Sequence, residues 1–266
     1  MIREITLGQY YKGDSILHKA DPRTKILVTI IYIVSLFLAK SVVAYAFATA
    51  FLALAIYLST VPISYMVRGL KAIFMILLFS VIVNMIFIPG RILINFKIFT
   101  ITYEGLTTAG LMALRLIYLV MGTSLMTLTT TPNRLTDGLE QLLGPLKKLH
   151  VPVHEIAMMM SIALRFIPIL TEELDKIMKA QMARGASFDE GNLIQKMKSM
   201  VPILVPLFVS AVRRANDLAM AMESRCYNGG EGRTKMKPLK YEKRDGSIFL
   251  ATIVYMAVIV ALRILL

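Results

Sequence analysis

The sequence has no tryptophan, one cysteine and three histidines in 266 residues, and 17 acidic side chains against 30 basic ones. Each shortage excludes something. One cysteine cannot close an internal disulfide, so nothing in the fold depends on an oxidising compartment. No G-x-x-x-x-G-K-[ST] phosphate loop occurs, and Gly229-Gly230-Glu231-Gly232 lacks the lysine that would grip a phosphate. Met1 to Lys25 are polar and charged ahead of any apolar run, the wrong order for a cleaved signal peptide, so the first apolar span is expected to stay in the chain. Base-stacking aromatic motifs are also missing, and the net charge of +13 therefore does not point to nucleic acid.

What the chain has in excess is apolar surface. At 56% hydrophobic residues a soluble domain would have little polar surface with which to cover itself, so this is a membrane protein with a soluble-facing part. The basic residues lie beside apolar spans, as positive-inside topology requires. Ile26 to Leu38 and Val42 to Leu58 are nearly uncharged and broken only by Ala39-Lys40-Ser41, which predicts a tight helical hairpin. A basic connection through Arg68-Gly69-Leu70-Lys71 leads to a third span, Ala72 to Ile88, closed by Pro89-Gly90. Partial alternation from Leu93 to Tyr103 predicts a short extended hairpin. Leu106 to Leu128 form a fourth span and Ser247 to Leu262 a last one. With the N-terminus cytoplasmic, the basic segments fall inside, Arg91 and Lys97 excepted, and the C-terminus lies outside.

Between Pro132 and Gly246 charges become frequent while apolar residues keep helical spacing. Leu207, Phe208, Ala211, Val212, Ala215, Leu218, Ala219 and Met222 recur at three- and four-residue steps, with Arg213, Arg214, Asn216, Asp217 and Glu223 on the other face. These read as long amphipathic helices at the membrane surface, not spans, with Pro202 and Pro206 kinking the second or splitting it from the preceding run. The expected fold is thus all-α, about five transmembrane helices plus a cytoplasmic helical module. Its parts are residues 1–130, the coupling module 131–246 and a last helix in 247–266.

One pattern occurs twice in that module: a Met- and Ala-rich helical run ending in a small-Arg-small triplet. The first ends in Ala183-Arg184-Gly185, the second in Ser224-Arg225-Cys226. A capped helix end accounts for the first, since Gly185 can adopt the left-handed conformation and Arg184 favours the negative end of the dipole. In the second, the expected stop comes later, at Asn228-Gly229-Gly230. Small neighbours also let an arginine stand clear and place its fork on a carboxylate in a partner's groove. On the residues alone, capping and docking both remain open.

Those triplets, with Asp21-Pro22-Arg23-Thr24-Lys25 and Arg165-Phe166-Ile167-Pro168, resemble the transmembrane T component (EcfT) of energy-coupling factor transporters, over essentially the whole chain. The resemblance implies a non-catalytic subunit that couples two cytoplasmic ATP-binding-cassette ATPases to a membrane-embedded S component, the captor of a vitamin or a transition-metal ion. ATP would be bound by the partners, and this chain would carry no cofactor of its own. Each triplet arginine would sit on a coupling helix docked in the groove of one ATPase. Cys226 stands where many relatives have glycine. Flexible methionine-rich faces suit more than one partner, and equally fill gaps between helices. By resemblance, Met158, Met159, Met160, Ile162, Val205, Phe208 and Val212 are assigned to the S-component contact.

Other candidates are weaker. His150 and His154 stand four apart, but Pro152 lies between them without H-E-x-x-H order, so no metal site is assigned. His18 reads as a hydrogen-bonding surface residue and Cys226 as a small packing residue. Arg115, inside the fourth span, and Asn84, in the third, read as inter-helix ties. The alternative function, a conventional ABC permease forming the substrate path itself, predicts polar residues along several spans, and these are almost featureless. An integral-membrane enzyme needs His, Asp or Glu clustered at membrane depth, and no catalytic residue is assigned.

Overall fold

Four helices in this chain start where a hydroxyl or carboxylate accepts from the first free N–H groups, whereas those beginning at Ile63 and Val153 follow Pro62 and Pro152 with no side-chain cap. The computed structural model describes residues 10–89, 91–96, 99–186, 188, 192–230, 236 and 238–265. Ser15 caps α1 (Ile16–Lys19), Asp21 caps α2 (Pro22–Leu38) with Pro22 at its start, and Ser41 caps α3 (Val42–Ser59). α4 (Ile63–Phe87) bends by 63° between Ile63–Lys71 and Ile73–Met85. The expected basic connection at Arg68 to Lys71 is therefore helical. Strands β1 (Ile92–Phe96) and β2 (Phe99–Thr102) pair antiparallel where alternation predicts a hairpin; Lys97 lies outside the described residues. Thr102 then caps α5 (Tyr103–Thr129). After α6 (Pro132–Leu142) and a 3-10 turn at Gly144–Leu149 come α7 (Val153–Ala183), α8 (Leu193–Glu223) and α9 (Lys243–Leu265).

Among the described residues the architecture is all-helical apart from that hairpin. Four of the described helices are long and apolar enough to cross a membrane, α3, α5, α7 and α9, or five if the bent α4 is one span. The set differs from the expected one at two points. α2 has 17 residues, about 26 Å at helical rise, short of ~30 Å of hydrocarbon. α7, expected as a surface helix, runs unbroken for 31 residues through Pro168, with its apolar half before Glu172. α8 likewise runs unbroken through Pro202 and Pro206, so these prolines do not separate it from the preceding run.

Two compact units result. The described residues within Met1–Gln141 and Leu239–Leu266 form one, and those within Leu142–Pro238 the other. In the first, small residues on α2 and α3 let helices approach. Tyr32, Leu36, Ala44, Tyr45, Ala48 and Leu52 bury against Tyr255 and Ile259 of α9. Phe51 stacks on the Tyr255 ring at 4.3 Å, and the Tyr255 hydroxyl shares a hydrogen bond with Ser35 at 2.8 Å. Gly122 on α5 faces Tyr32 so closely that a Cβ would overlap the ring. Arg115 is the expected tie: Nε donates to the Tyr45 hydroxyl at 3.0 Å and a terminal nitrogen to the Ala39 carbonyl at 3.2 Å. Asn84 is not a tie; its amide donates back to the Ser80 carbonyl, 2.8 Å away on the same helix.

One end of this unit carries a buried polar network built on Asp21-Pro22-Arg23-Thr24-Lys25. Asp21 takes Nε and a terminal nitrogen of Arg23 at 3.0 and 2.8 Å, and the Arg23 guanidinium lies over the Tyr241 ring. The Asp21 backbone N–H donates to Asp245 of α9 at 2.8 Å. Buried Lys25 donates to the carbonyls of His18 and Thr129 and to the Thr130 hydroxyl, three acceptors for three N–H groups. His18 is buried, not at the surface as its isolation suggested. Nε2 donates to the Tyr11 carbonyl at 2.9 Å, which leaves Nδ1 to accept from the Ser15 hydroxyl at 2.6 Å. Burial pushes its pKa below the ordinary imidazole value, in keeping with this neutral form.

Candidate docking site

Both arginine triplets close a helix, and they close it in the same way. At the end of α7 the Gly185 N–H bonds to the Met182 carbonyl at 3.0 Å and the Ala186 N–H to the Gln181 carbonyl at 3.1 Å. At the end of α8 the Cys226 N–H bonds to the Glu223 carbonyl at 2.9 Å and the Tyr227 N–H to the Met222 carbonyl at 3.0 Å. These are the paired bonds of a Schellman close, and each needs its third triplet residue in the left-handed region. Gly185 has φ +89° and Cys226 φ +56°.

The second stop therefore falls at Cys226 and not at Asn228-Gly229-Gly230. Cys226 is an exposed turn residue, not a packing residue. In both tips the arginine directly precedes the residue that turns left-handed. Because a side chain in that region is strained by roughly 1 kcal/mol and glycine is not, opposite effects are expected at the two tips. Cys226→Gly should raise the thermal midpoint of the purified chain in detergent, followed by circular dichroism, and Gly185→Ala should lower it. A fall in both would remove left-handed strain as the cause.

All six triplet residues, Ala183, Arg184, Gly185, Ser224, Arg225 and Cys226, are exposed. Capping and exposure thus coexist, since the close fixes the backbone and leaves each arginine side chain outward. α7 and α8 run antiparallel: Gln181 meets Pro202, Glu173 pairs with Arg214 at 3.2 Å, and Met158 accepts from the Tyr227 hydroxyl at 3.1 Å. Gly230 lies against His154. The tips consequently stand at opposite ends of the pair, and because Gln181 lies level with Pro202, the stretch of α8 between them spans roughly 35–40 Å at helical rise.

The methionine positions divide. Met159 and Met160 are exposed, whereas Met158 and Ile162 are half-buried. On α8, Val205, Val212 and Phe208, the last 71% exposed, belong to a longer open stripe that also takes in Ile194, Met197, Val201 and Leu204. Its three- and four-residue spacing was present in the sequence from Ile194 onward. His150 closes the 3-10 turn outside α7, so it and His154 do not share a helix. Among the described residues no group of three or more His, Cys, Asp or Glu could hold a metal.

The model of the family described as CbiQ, cobalt transport protein, matches residues 13–236. The energy-coupling factor transporter transmembrane protein EcfT of Clostridium kluyveri is 54% identical over 267 residues, covering 99% of this chain and 98% of that protein. The chain belongs to the EcfT family. Its likeness to the EcfT protein of Bacillus subtilis is 47% over 264 residues, covering 99% of this chain and all of that one. The EcfT protein of Thermosediminibacter oceani is 54% identical over 251 residues, 94% of this chain and 95% of its own length. Both triplets lie within the residues that the family model spans. The family is one of transporter membrane components, which favours the coupling reading over a permease that forms the substrate path.

Proposed function

We propose that this chain is the transmembrane coupling subunit of an energy-coupling factor importer, with Arg184 and Arg225 each docked in the groove of one cytoplasmic ATPase. The observation that carries the reading is the duplicated tip: an exposed arginine held on a Schellman close at each end of one antiparallel helix pair. Closing of the ATPases on ATP displaces the tips, and α7 and α8 pass the displacement to a membrane-embedded S component. The open apolar stripe from Ile194 to Val212 and, nearer the second tip, exposed Met159 and Met160 with half-buried Met158 and Ile162 are the surfaces offered to that component. A stripe of this kind is costly to leave in water and suits a partner that is itself apolar. The chain binds no nucleotide and carries no cofactor in this reading. In this reading the basic N-terminal segment is cytoplasmic and the C-terminus lies outside. The cargo, a vitamin or a transition-metal ion, is chosen by the S component.

The test is co-expression of the tagged chain with the two candidate ATPases encoded in the same genome. Both ATPases are expected to co-purify with it from detergent extracts. Recovery of the chain without either would remove the docking reading.

A further inference from the structure

Two prolines interrupt the hydrogen-bond ladder of α8. Proline has no N–H, so Pro206 leaves the carbonyl of Pro202, four residues earlier, without its helical donor. The Gln181 side-chain amide reaches over from the last turn of α7 and donates to that carbonyl at 3.3 Å. The Gln181 backbone carbonyl, for its part, accepts the N–H groups of Arg184 and Ala186, each at 3.1 Å. One residue thus takes part in the turn that presents Arg184 and also holds the point at which α8 is interrupted.

We propose that Gln181 is a positioning residue: by donating to the carbonyl that Pro206 leaves open, it makes the first arginine tip and the proline segment of α8 move together. The functional half of this inference rests on reading Arg184 as a docking residue; the tie itself does not. Its consequence follows from where the prolines lie. Val201, Leu204, Val205 and Phe208, all exposed, belong to the Pro202–Pro206 stretch or flank it within two residues. A displacement of the first tip is therefore delivered into the middle of the apolar stripe, at the one segment of α8 whose ladder is already open and whose bending is cheapest.

The only cysteine, Cys226, lies exposed in the second tip, which simplifies the test. A Lys179→Cys change, on the exposed side of the last turns of α7, supplies a second spin-label site in the full chain reconstituted in lipid nanodiscs. Pulsed dipolar spectroscopy then reads the distance between the two ends. Gln181→Leu is expected to broaden and shift that distribution, and so is Gln181→Glu, which keeps the length of the side chain but cannot donate when ionised. Pro206→Ala returns a backbone N–H to the Pro202 carbonyl, and in that background Gln181→Leu should add no further change. An unaltered distribution in both Gln181 variants, or an equal change with and without Pro206, overturns the proposal. Co-purification separates the two readings. Gln181→Leu keeps both arginines and should retain the ATPases, so their complete loss would make Gln181 a docking residue and sink the positioning role. Retention of the ATPases by Arg184→Ala would remove the docking role while the distance measurement still judges the tie.

Discussion

Changing Arg184 and Arg225 together to alanine is expected to strip both ATPases from the chain during co-purification. Removing one member of a desolvated, hydrogen-bonded charge pair costs about 2–5 kcal/mol, and each 1.4 kcal/mol is about tenfold in affinity, so each tip should weaken its contact by roughly 30-fold or more. Each single variant should accordingly loosen one ATPase, and the double variant both. The folded chain itself should hardly notice. Both arginines are exposed, and among the described residues neither guanidinium takes part in a hydrogen bond or ion pair within the chain. Truncating such a surface side chain usually changes stability by no more than about 0.5 kcal/mol. Loss of the ATPases with an unchanged thermal midpoint therefore reports the interface. Arg→Lys at each tip is the sharper control. It keeps the charge but loses the planar two-bond fork, and should recover only part of the binding. Full recovery of both ATPases by the double alanine variant would end the docking model.

Asp245→Ala should destabilise the first unit strongly, although the change removes only a small polar side chain. The carboxylate is 2% exposed and joins the two ends of the sequence. One oxygen accepts the Asp21 N–H and the other the Glu242 N–H at the start of α9, both at 2.8 Å. Alanine leaves two backbone donors without partners and leaves buried Lys25 and Arg23 with one negative charge fewer beside them. Breaking such a buried arrangement by removing one member costs about 3–5 kcal/mol. Asp245→Asn retains one acceptor oxygen and should lose about half as much, within the 1–3 kcal/mol range of an unsatisfied buried donor. Chemical or thermal unfolding in detergent, followed by circular dichroism, would rank the two. An alanine variant as stable as the parent would mean that α9 is held by its apolar packing on Tyr32 and Phe51 alone.

The site was half legible in the sequence. The two triplets could be found because a small-Arg-small sequence at the end of a helical run is a local pattern, and their exposure followed from it. Where the second helix stops could not be found the same way. Cys226 has no propensity for the left-handed region, and only the bonds from Cys226 and Tyr227 to the last turn place it there. Gln181 gave no signal either, since a glutamine near a helix end is ordinary until the carbonyl opposite it is seen to lack a donor.

The sequence alone determined the helical class, the apolar middle of each span and the hairpin between Ile92 and Thr102, because alternation and apolar run length act over a few residues, while the helices of most spans start several residues ahead of the apolar runs. Asp21 before Pro22, Ser41 before Val42 and Thr102 before Tyr103 start helices by satisfying N–H groups within their own first turn. Only the tertiary structure decided which distant groups those elements meet. Asp21 reaches Asp245 across 224 positions, Lys25 reaches Thr129 across 104, and α7 reaches the open carbonyl of α8. Periodicity says that a face is apolar or a polar group must be satisfied; it does not name the partner, which is fixed when packing brings one donor and one acceptor together out of water.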